Sequence, residues 1–89
     1  MILYIKKRDG QKALFNADKI TNAIKAAFLA CQKVVDEKTY EEISLAIVNS
    51  LESKYTGSSV PSVEHTQDIV ELELMRSGHT DVAKSYILY

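Results

Sequence analysis

Four successive stretches of this 89-residue chain carry apolar residues at helical spacing, and this pattern restricts the fold more than any other feature. In the clearest stretch the apolar positions are Ile20, Ala23, Ile24, Ala27, Phe28 and Cys31. Steps of three and one place these side chains on one face of an α-helix. Four amphipathic helices can cover one another's apolar faces, whereas a single pair could not. The pattern therefore predicts a small helical bundle.

Capping signals set the limits of the first two helices. Asn16 is a typical N-cap for the first helix. The second is expected to begin at about Asp36 or Thr39, where Thr39 and Glu42 match a capping box, and to run to Lys54.

The third helix is expected to begin after Ser62 and to end at Ser77-Gly78, because glycine favours the left-handed C-terminal position. Its apolar stripe is Val63, Thr66, Ile69, Val70, Leu72, Leu74 and Met75. Thr80 is the expected N-cap of the fourth helix. The stripe of that helix is Val82, Ala83, Tyr86 and Ile87.

A β-hairpin should precede the helices. Residues 2–7 are rich in β-forming residues, and Asp9-Gly10 is the pair preferred in a two-residue type I′ turn. The return strand should cover residues 12–15, and Val60 offers a short third strand. The predicted class is α+β, with an N-terminal hairpin capping a four-helix bundle.

Composition places all of this in one domain, residues 1–89. The chain is 46% apolar and 26% charged, as a single globular domain requires. No apolar run approaches the roughly 20 residues that cross a bilayer, and Lys6 and Lys7 stand where a signal peptide would be apolar. We therefore expect a cytoplasmic protein that binds no membrane. Because the sequence stops at Tyr89 without a closing signal, we expect it to be the N-terminal fragment of a larger protein.

Several kinds of chemistry lack the residues they need. Three glycines cannot build a P-loop or a dinucleotide fingerprint. His65 and His79 are far apart with no cysteine near either, so we predict no metal site. Cys31, the only cysteine, is expected to be a buried core thiol, and we predict no catalytic residue.

Positive charge is concentrated near the N-terminus. Residues 1–25 contain six basic and two acidic residues, a net charge of +4 in a chain of net charge −1. This distribution favours a local anionic ligand over nucleic acid, which usually requires a wider basic face. Lys7 and Arg8 in a hairpin tip, with Lys19 in the next helix, could hold a triphosphate. The same residues could also be simply solvated.

Several motifs in order resemble the ATP-cone family. The first are Ile5 through Gly10, then Phe15, Lys19-Ile20 and Ala23-Ile24; the later ones are Val60-Pro61-Ser62, Gln67 through Glu71, Leu74-Met75, Gly78-His79 and Val82 through Tyr89. The resemblance covers nearly the whole chain. Thr66 departs from it, because the family commonly has an aliphatic residue at this position, and His65 precedes it.

The resemblance implies an allosteric regulatory domain, not itself an enzyme, that binds ATP or dATP together with magnesium between the hairpin and the bundle. The implied host is a ribonucleotide reductase, and the resemblance favours the anaerobic class, which reduces ribonucleoside triphosphates. The implied partners are the nucleotide, the catalytic domain of the host and a homo-oligomer. The nucleotide-binding residues carried over are Ile5, Lys7, Arg8, Asn16, Lys19 and Gln67.

Within this assignment, Lys7 and Arg8 would contact phosphates and Ile5 would pack near the base. Asn16 and Lys19 would meet ribose or phosphate, and Gln67 is an additional candidate. Two alternatives stay open: the ATP-cone of a transcriptional regulator, which would need an N-terminal zinc ribbon, and a protein-interaction module whose nucleotide pocket has decayed.

Overall fold

In the computed structural model, which describes residues 2–86, a two-stranded hairpin is followed by four helices. The elements are β1 Tyr4–Lys6, β2 Lys12–Leu14, α1 Ala17–Ala30, α2 Glu37–Lys54, α3 Val63–Arg76 and α4 Thr80–Ser85. The predicted α+β class, with an N-terminal hairpin on a four-helix bundle, is confirmed. No helix within residues 2–86 is both long and apolar enough to cross a membrane.

The hairpin is antiparallel, but its turn differs from the predicted one. Tyr4 pairs with Leu14 and Lys6 with Lys12. A type I′ turn would need positive φ at both Asp9 and Gly10, whereas only Gly10 has it, at 88°. The Gly10 N–H donates to the Lys7 carbonyl at 2.9 Å, so the turn is centred one residue earlier, with Gly10 following it in the left-handed region.

The suggested third strand at Val60 is reduced to a single contact. The Lys6 N–H donates to the Pro61 carbonyl at 2.8 Å, and Lys6 forms an isolated parallel bridge with Ser62. This contact attaches β1 to the segment that leads into α3. The hairpin is thereby fixed over the N-terminus of that helix.

The helices pack in a closed arrangement around an apolar core. Helix α1 packs on α2 and α4, and α3 packs on the same two helices. The largest fully buried side chains include Phe28, Ile47, Leu51 and Leu74, one or more from each of the three long helices. Truncating such a side chain to alanine typically costs about 2–5 kcal/mol of stability, so this core dominates the fold.

Side-chain caps begin the three long helices close to the predicted positions. Asn16 caps α1, Asp36 caps α2 and Ser62 caps α3, each by accepting a backbone N–H. The Thr39-Glu42 pattern does not mark a helix start, because the Thr39 N–H and hydroxyl both bind the Asp36 carboxylate.

The predicted Thr80 cap of α4 is wrong. His79 occupies the cap position without a side-chain bond, and its carbonyl accepts the Ala83 N–H at 2.9 Å. The reason lies in the end of α3: Gly78 is left-handed and the His79 N–H returns to the Leu74 carbonyl, which directs the chain into α4 one residue early. Helix α4 ends at Ser85, and Tyr86, which follows it, is buried. Ile87, the last residue of the predicted stripe, lies outside the described residues.

Leu72, Met75 and Cys31 were predicted to be internal but are not fully buried. Leu72 and Met75 are 44% and 46% exposed, because they lie on the face of α3 away from the core. Cys31 is only partly buried. Its thiol lies 3.3 Å from the Ser85 hydroxyl, at the junction of α1 and α4.

Candidate functional site

An enclosed cavity of about 110 Å³ lies between the hairpin and the starts of α1 and α3. Six of the ten lining side chains are apolar, and the other four are polar and come from the hairpin, the start of α1 and α3. The lining residues are Ile5, Lys7, Ala13, Leu14, Phe15, Asn16, Lys19, Ile20, Val63 and Thr66. An apolar cavity with a few polar groups is the usual form of a small-molecule site.

A more open groove of about 420 Å³ lies beside the hairpin tip. Lys7, Arg8, Asp9 and Val63 line it, and Lys7 and Val63 also line the cavity. The groove's size is within the range of about 300–1,000 Å³ typical of ligand pockets. The two spaces adjoin at Lys7 and Val63, and together they place apolar walls next to the cations Lys7, Arg8 and Lys19.

Two helix N-termini face this site. Asn16, the cap of α1, and Lys19 in its first turn line the cavity, and so does Val63, the first residue of α3. The N-terminus of a helix carries about half a positive charge and unpaired N–H groups. The helix dipoles therefore add to the charge of the lysines and favour an anion.

The turn geometry places the cations of the hairpin tip. The Lys7 N–H donates to the Gln11 carbonyl at 2.8 Å, and the Gln11 N–H binds the Asp9 carboxylate at 3.0 Å. Asp9 and Gly10 thus shape the loop, and Lys7 and Arg8 project from it with exposed side chains.

Arg8 connects the hairpin tip to α3. Its guanidinium donates to the side-chain oxygen of Gln67 at 3.3 Å, across 59 residues of sequence. Gln67 lines neither space, and its place in the site is this contact with Arg8.

The six predicted residues therefore fall in one region. Four of them, Ile5, Lys7, Asn16 and Lys19, line the cavity, and Arg8 lines the groove and donates a hydrogen bond to Gln67. Phe15 and Ile20 also line the cavity, although the sequence interpretation assigned neither of them to the site. Thr66 was placed in the apolar stripe of the third helix and noted as a departure from the family pattern, but it was not assigned to the site. Its spacing of three from Val63 is the signal that places both on the cavity side of α3.

Other polar groups of interest lie outside the cavity lining. His65 hydrogen-bonds through Nδ1 with the Tyr55 hydroxyl, and burial raises the pKa of that phenol. Within the described part of the chain, no group of three or more histidine, cysteine, aspartate or glutamate side chains is placed to hold a metal ion.

Comparison with known families decides what kind of domain carries this site. The family described as the ATP cone domain matches residues 3–89. The chain belongs to the ATP-cone family. ATP-cone domains are regulatory modules that bind ATP or dATP as effectors, and the chain is accordingly a regulatory, nucleotide-binding domain.

The similar proteins are ribonucleotide reductases of several kinds. The chain is 42% identical to ribonucleoside-diphosphate reductase subunit alpha of Chlamydia pneumoniae, covering 99% of this chain and 9% of that protein. It is 43% identical to the vitamin B12-dependent ribonucleoside-diphosphate reductase of Thermoplasma acidophilum, covering 100% and 12%. For the anaerobic ribonucleoside-triphosphate reductase of Haemophilus influenzae the identity is 36%, covering 93% and 11%. The ATP-cone chain thus spans only a small part of the length of each relative.

Proposed function

We propose that the cavity and the groove together form the ATP and dATP site of this ATP-cone, with the base in the cavity and the triphosphate along the hairpin tip. The observation that carries the proposal is that the apolar wall of the cavity lies next to cations and two helix N-termini, with Lys7 and Val63 lining both the cavity and the groove. A nucleotide has the same division, because its base is largely apolar on both faces and its phosphates are anionic.

The phosphates are assigned to three cations on two elements. Lys7 and Arg8 come from the hairpin tip and Lys19 from the first turn of α1. Lysine supplies a compact charge, whereas the arginine fork can bind two phosphate oxygens at once. Magnesium bound to the phosphates is part of the proposal, because it offsets the charge that three cations do not cancel.

The sugar is assigned to Asn16. Its side-chain oxygen already accepts the Asp18 N–H at 3.0 Å, which leaves the amide nitrogen as the group available to a ligand. That nitrogen can only donate, and a ribose hydroxyl oxygen or a phosphate oxygen can accept. Ile5 packs at the base end of the site.

Gln67 is proposed to hold Arg8 until the nucleotide arrives. The Arg8–Gln67 hydrogen bond is exposed, so its net contribution is small compared with a charge-assisted bond to phosphate. A bound triphosphate can therefore take over the guanidinium, and the hairpin's attachment to α3 would change with occupancy.

The proposed host is a ribonucleotide reductase, of which this chain forms the N-terminal regulatory region next to a catalytic domain. The similarity over nearly the whole ATP-cone supports this. A ribonucleoside-triphosphate reductase of the anaerobic class is the specific host proposed, supported by the Haemophilus influenzae relative. ATP would permit activity and dATP would suppress it through homo-oligomer formation, in the cytoplasm, where the substrates of such an enzyme are found.

The test is a calorimetric titration of the chain with ATP and with dATP, each with magnesium. We expect micromolar binding in the wild type and a loss of at least about tenfold in Lys7→Ala/Arg8→Ala, because two phosphate contacts disappear.

Lys6→Ala/Lys12→Ala is the matched control. It removes the same net charge from the same hairpin, but from a cross-strand pair that lines neither the cavity nor the groove. Equal losses in both double variants would mean that general charge and not this site attracts the nucleotide. Absence of binding by folded wild type would favour the interaction module with a decayed pocket.

A further inference from the structure

Thr66 is an unusual residue for the place it occupies. Among the described residues it is the one buried side chain of a polar or charged type outside the tyrosines, with no exposed surface. It lines the cavity together with Val63, one turn earlier on α3. A buried hydroxyl costs free energy unless its hydrogen-bonding capacity is used.

The hydrogen of the Thr66 hydroxyl is already used in a hydrogen bond within α3. Oγ1 donates to the Ser62 carbonyl at 2.8 Å, in the first turn of α3. A hydroxyl has one hydrogen and two acceptor lone pairs. Because Thr66 has no exposed surface, a ligand must widen the cavity to reach its oxygen, and towards that ligand the oxygen can act only as an acceptor.

The other polar side chains of the cavity are used elsewhere. Lys7, Asn16 and Lys19 carry amine or amide donors and are assigned to phosphate and ribose. The remaining lining side chains are apolar and can stack on a base but cannot hydrogen-bond with its edge. Among the lining side chains, Thr66 is thus the one that remains to hydrogen-bond with the edge of the base.

We propose that Thr66 is a specificity-determining residue that accepts a hydrogen bond from the exocyclic amino group of adenine. The proposal rests on the nucleotide site described above. A purine with an oxo group at the same position would present an acceptor to an acceptor, and the site would disfavour it. Thr66 would therefore favour a purine with an amino group at position 6 over one with an oxo group there.

The experiment compares ATP with purine riboside triphosphate, which lacks the amino group, by calorimetry on the whole chain. Wild type should bind ATP about two- to tenfold more tightly, the value of one net hydrogen bond. Thr66→Val keeps the shape but removes the oxygen, so it should bind the two nucleotides equally. Thr66→Ser, which keeps the hydroxyl, should retain the preference.

Thr21→Val is the matched control. Thr21 also donates to the carbonyl four residues earlier, Ala17, at 3.2 Å, but it lines a different groove between α1 and α2. This variant should keep the wild-type preference for ATP. Thermal unfolding of each variant shows whether the chain is folded.

The results separate the two proposals. If wild type binds ATP and Thr66→Val keeps the full preference for it, Thr66 does not read the base, while the nucleotide site stands. If wild type binds neither nucleotide, the site itself is wrong, and the role of Thr66 with it.

Discussion

Asn16 caps α1 and is also proposed to bind the ligand. Its side-chain oxygen caps α1, and its amide nitrogen remains for a ligand in the cavity. Asparagine and aspartate cap helices equally well, but aspartate offers no donor and adds a negative charge. The structural and the ligand-binding roles can therefore be separated by substitution.

For Asn16→Asp we expect thermal stability close to that of the wild type, with ATP affinity reduced by about tenfold or more through the lost donor and repulsion of the phosphates. Asn16→Ala should also lose about 1 kcal/mol of stability with its cap. Calorimetric titration and thermal unfolding measure the two effects. Wild-type ATP affinity in Asn16→Asp would remove this residue from the site.

Gln32 has a backbone conformation that its residue type disfavours. It follows α1 with a φ of 55°, the one positive φ outside glycine in the described chain. The Lys33 N–H returns to the Phe28 carbonyl at 2.9 Å, so this is the same type of helix end that Gly78 forms after α3. Any residue with a Cβ is strained there.

We expect Gln32→Gly to raise the free energy of unfolding by about 0.5–1 kcal/mol, or the melting temperature by about 3–6 °C. The converse control, Gly78→Ala, should lower stability, although an added Cβ would contact nothing within 4 Å. Thermal unfolding of both variants checks this. A lower melting temperature for Gln32→Gly would show that its side chain stabilises the turn.

Helix α2 shows how a single cap makes an element sensitive to pH. The Asp36 carboxylate accepts the hydroxyl of Thr39 at 2.6 Å and its N–H at 2.9 Å, and these bonds hold the pKa of Asp36 below its usual range. A pKa lowered by folding means that the ionised group stabilises the folded state. That contribution is complete above the unfolded pKa of about 4 and is lost as the pH falls through the folded value.

Asp36→Asn retains a cap but does not titrate, so we expect its stability deficit relative to wild type to shrink as the pH falls from about 6 to about 3. Urea unfolding across this range measures the difference, in which contributions from other carboxylates cancel. A deficit that stays constant with pH would show that the charge of Asp36 does not stabilise α2.

Element positions were predictable where local chemistry decides them. Side-chain caps at Asn16 and Ser62 and the left-handed Gly78 are set by a few neighbouring residues, and each was correct. The predictions of the hairpin turn and of the start of α4 were wrong, because each position depends on which of two nearby residues completes a hydrogen-bonded loop. Periodicity alone could not show that Leu72 lies outside the core.

At the scale of the whole molecule, the site depends on contacts between distant segments. The basic hairpin tip was visible in the sequence, but its attachment to α3 through Lys6 with Pro61 and Arg8 with Gln67 was not. The same attachment brings Thr66 to the cavity. The motif resemblance alone identified the six candidate nucleotide-binding residues. The shape of the cavity, and the position of its apolar wall next to the cations, could be seen only in the folded structure.

The most direct test of the proposed nucleotide site is to map the NMR chemical shifts of the chain's backbone amides as ATP and magnesium are added. We predict the largest shifts at Lys7, Phe15, Asn16 and Thr66, around the cavity. The amides of Thr21 and Ser44, in the groove between α1 and α2, should change little. Chemical-shift changes concentrated in the groove between α1 and α2, or no changes in a folded chain, would contradict the proposed nucleotide site.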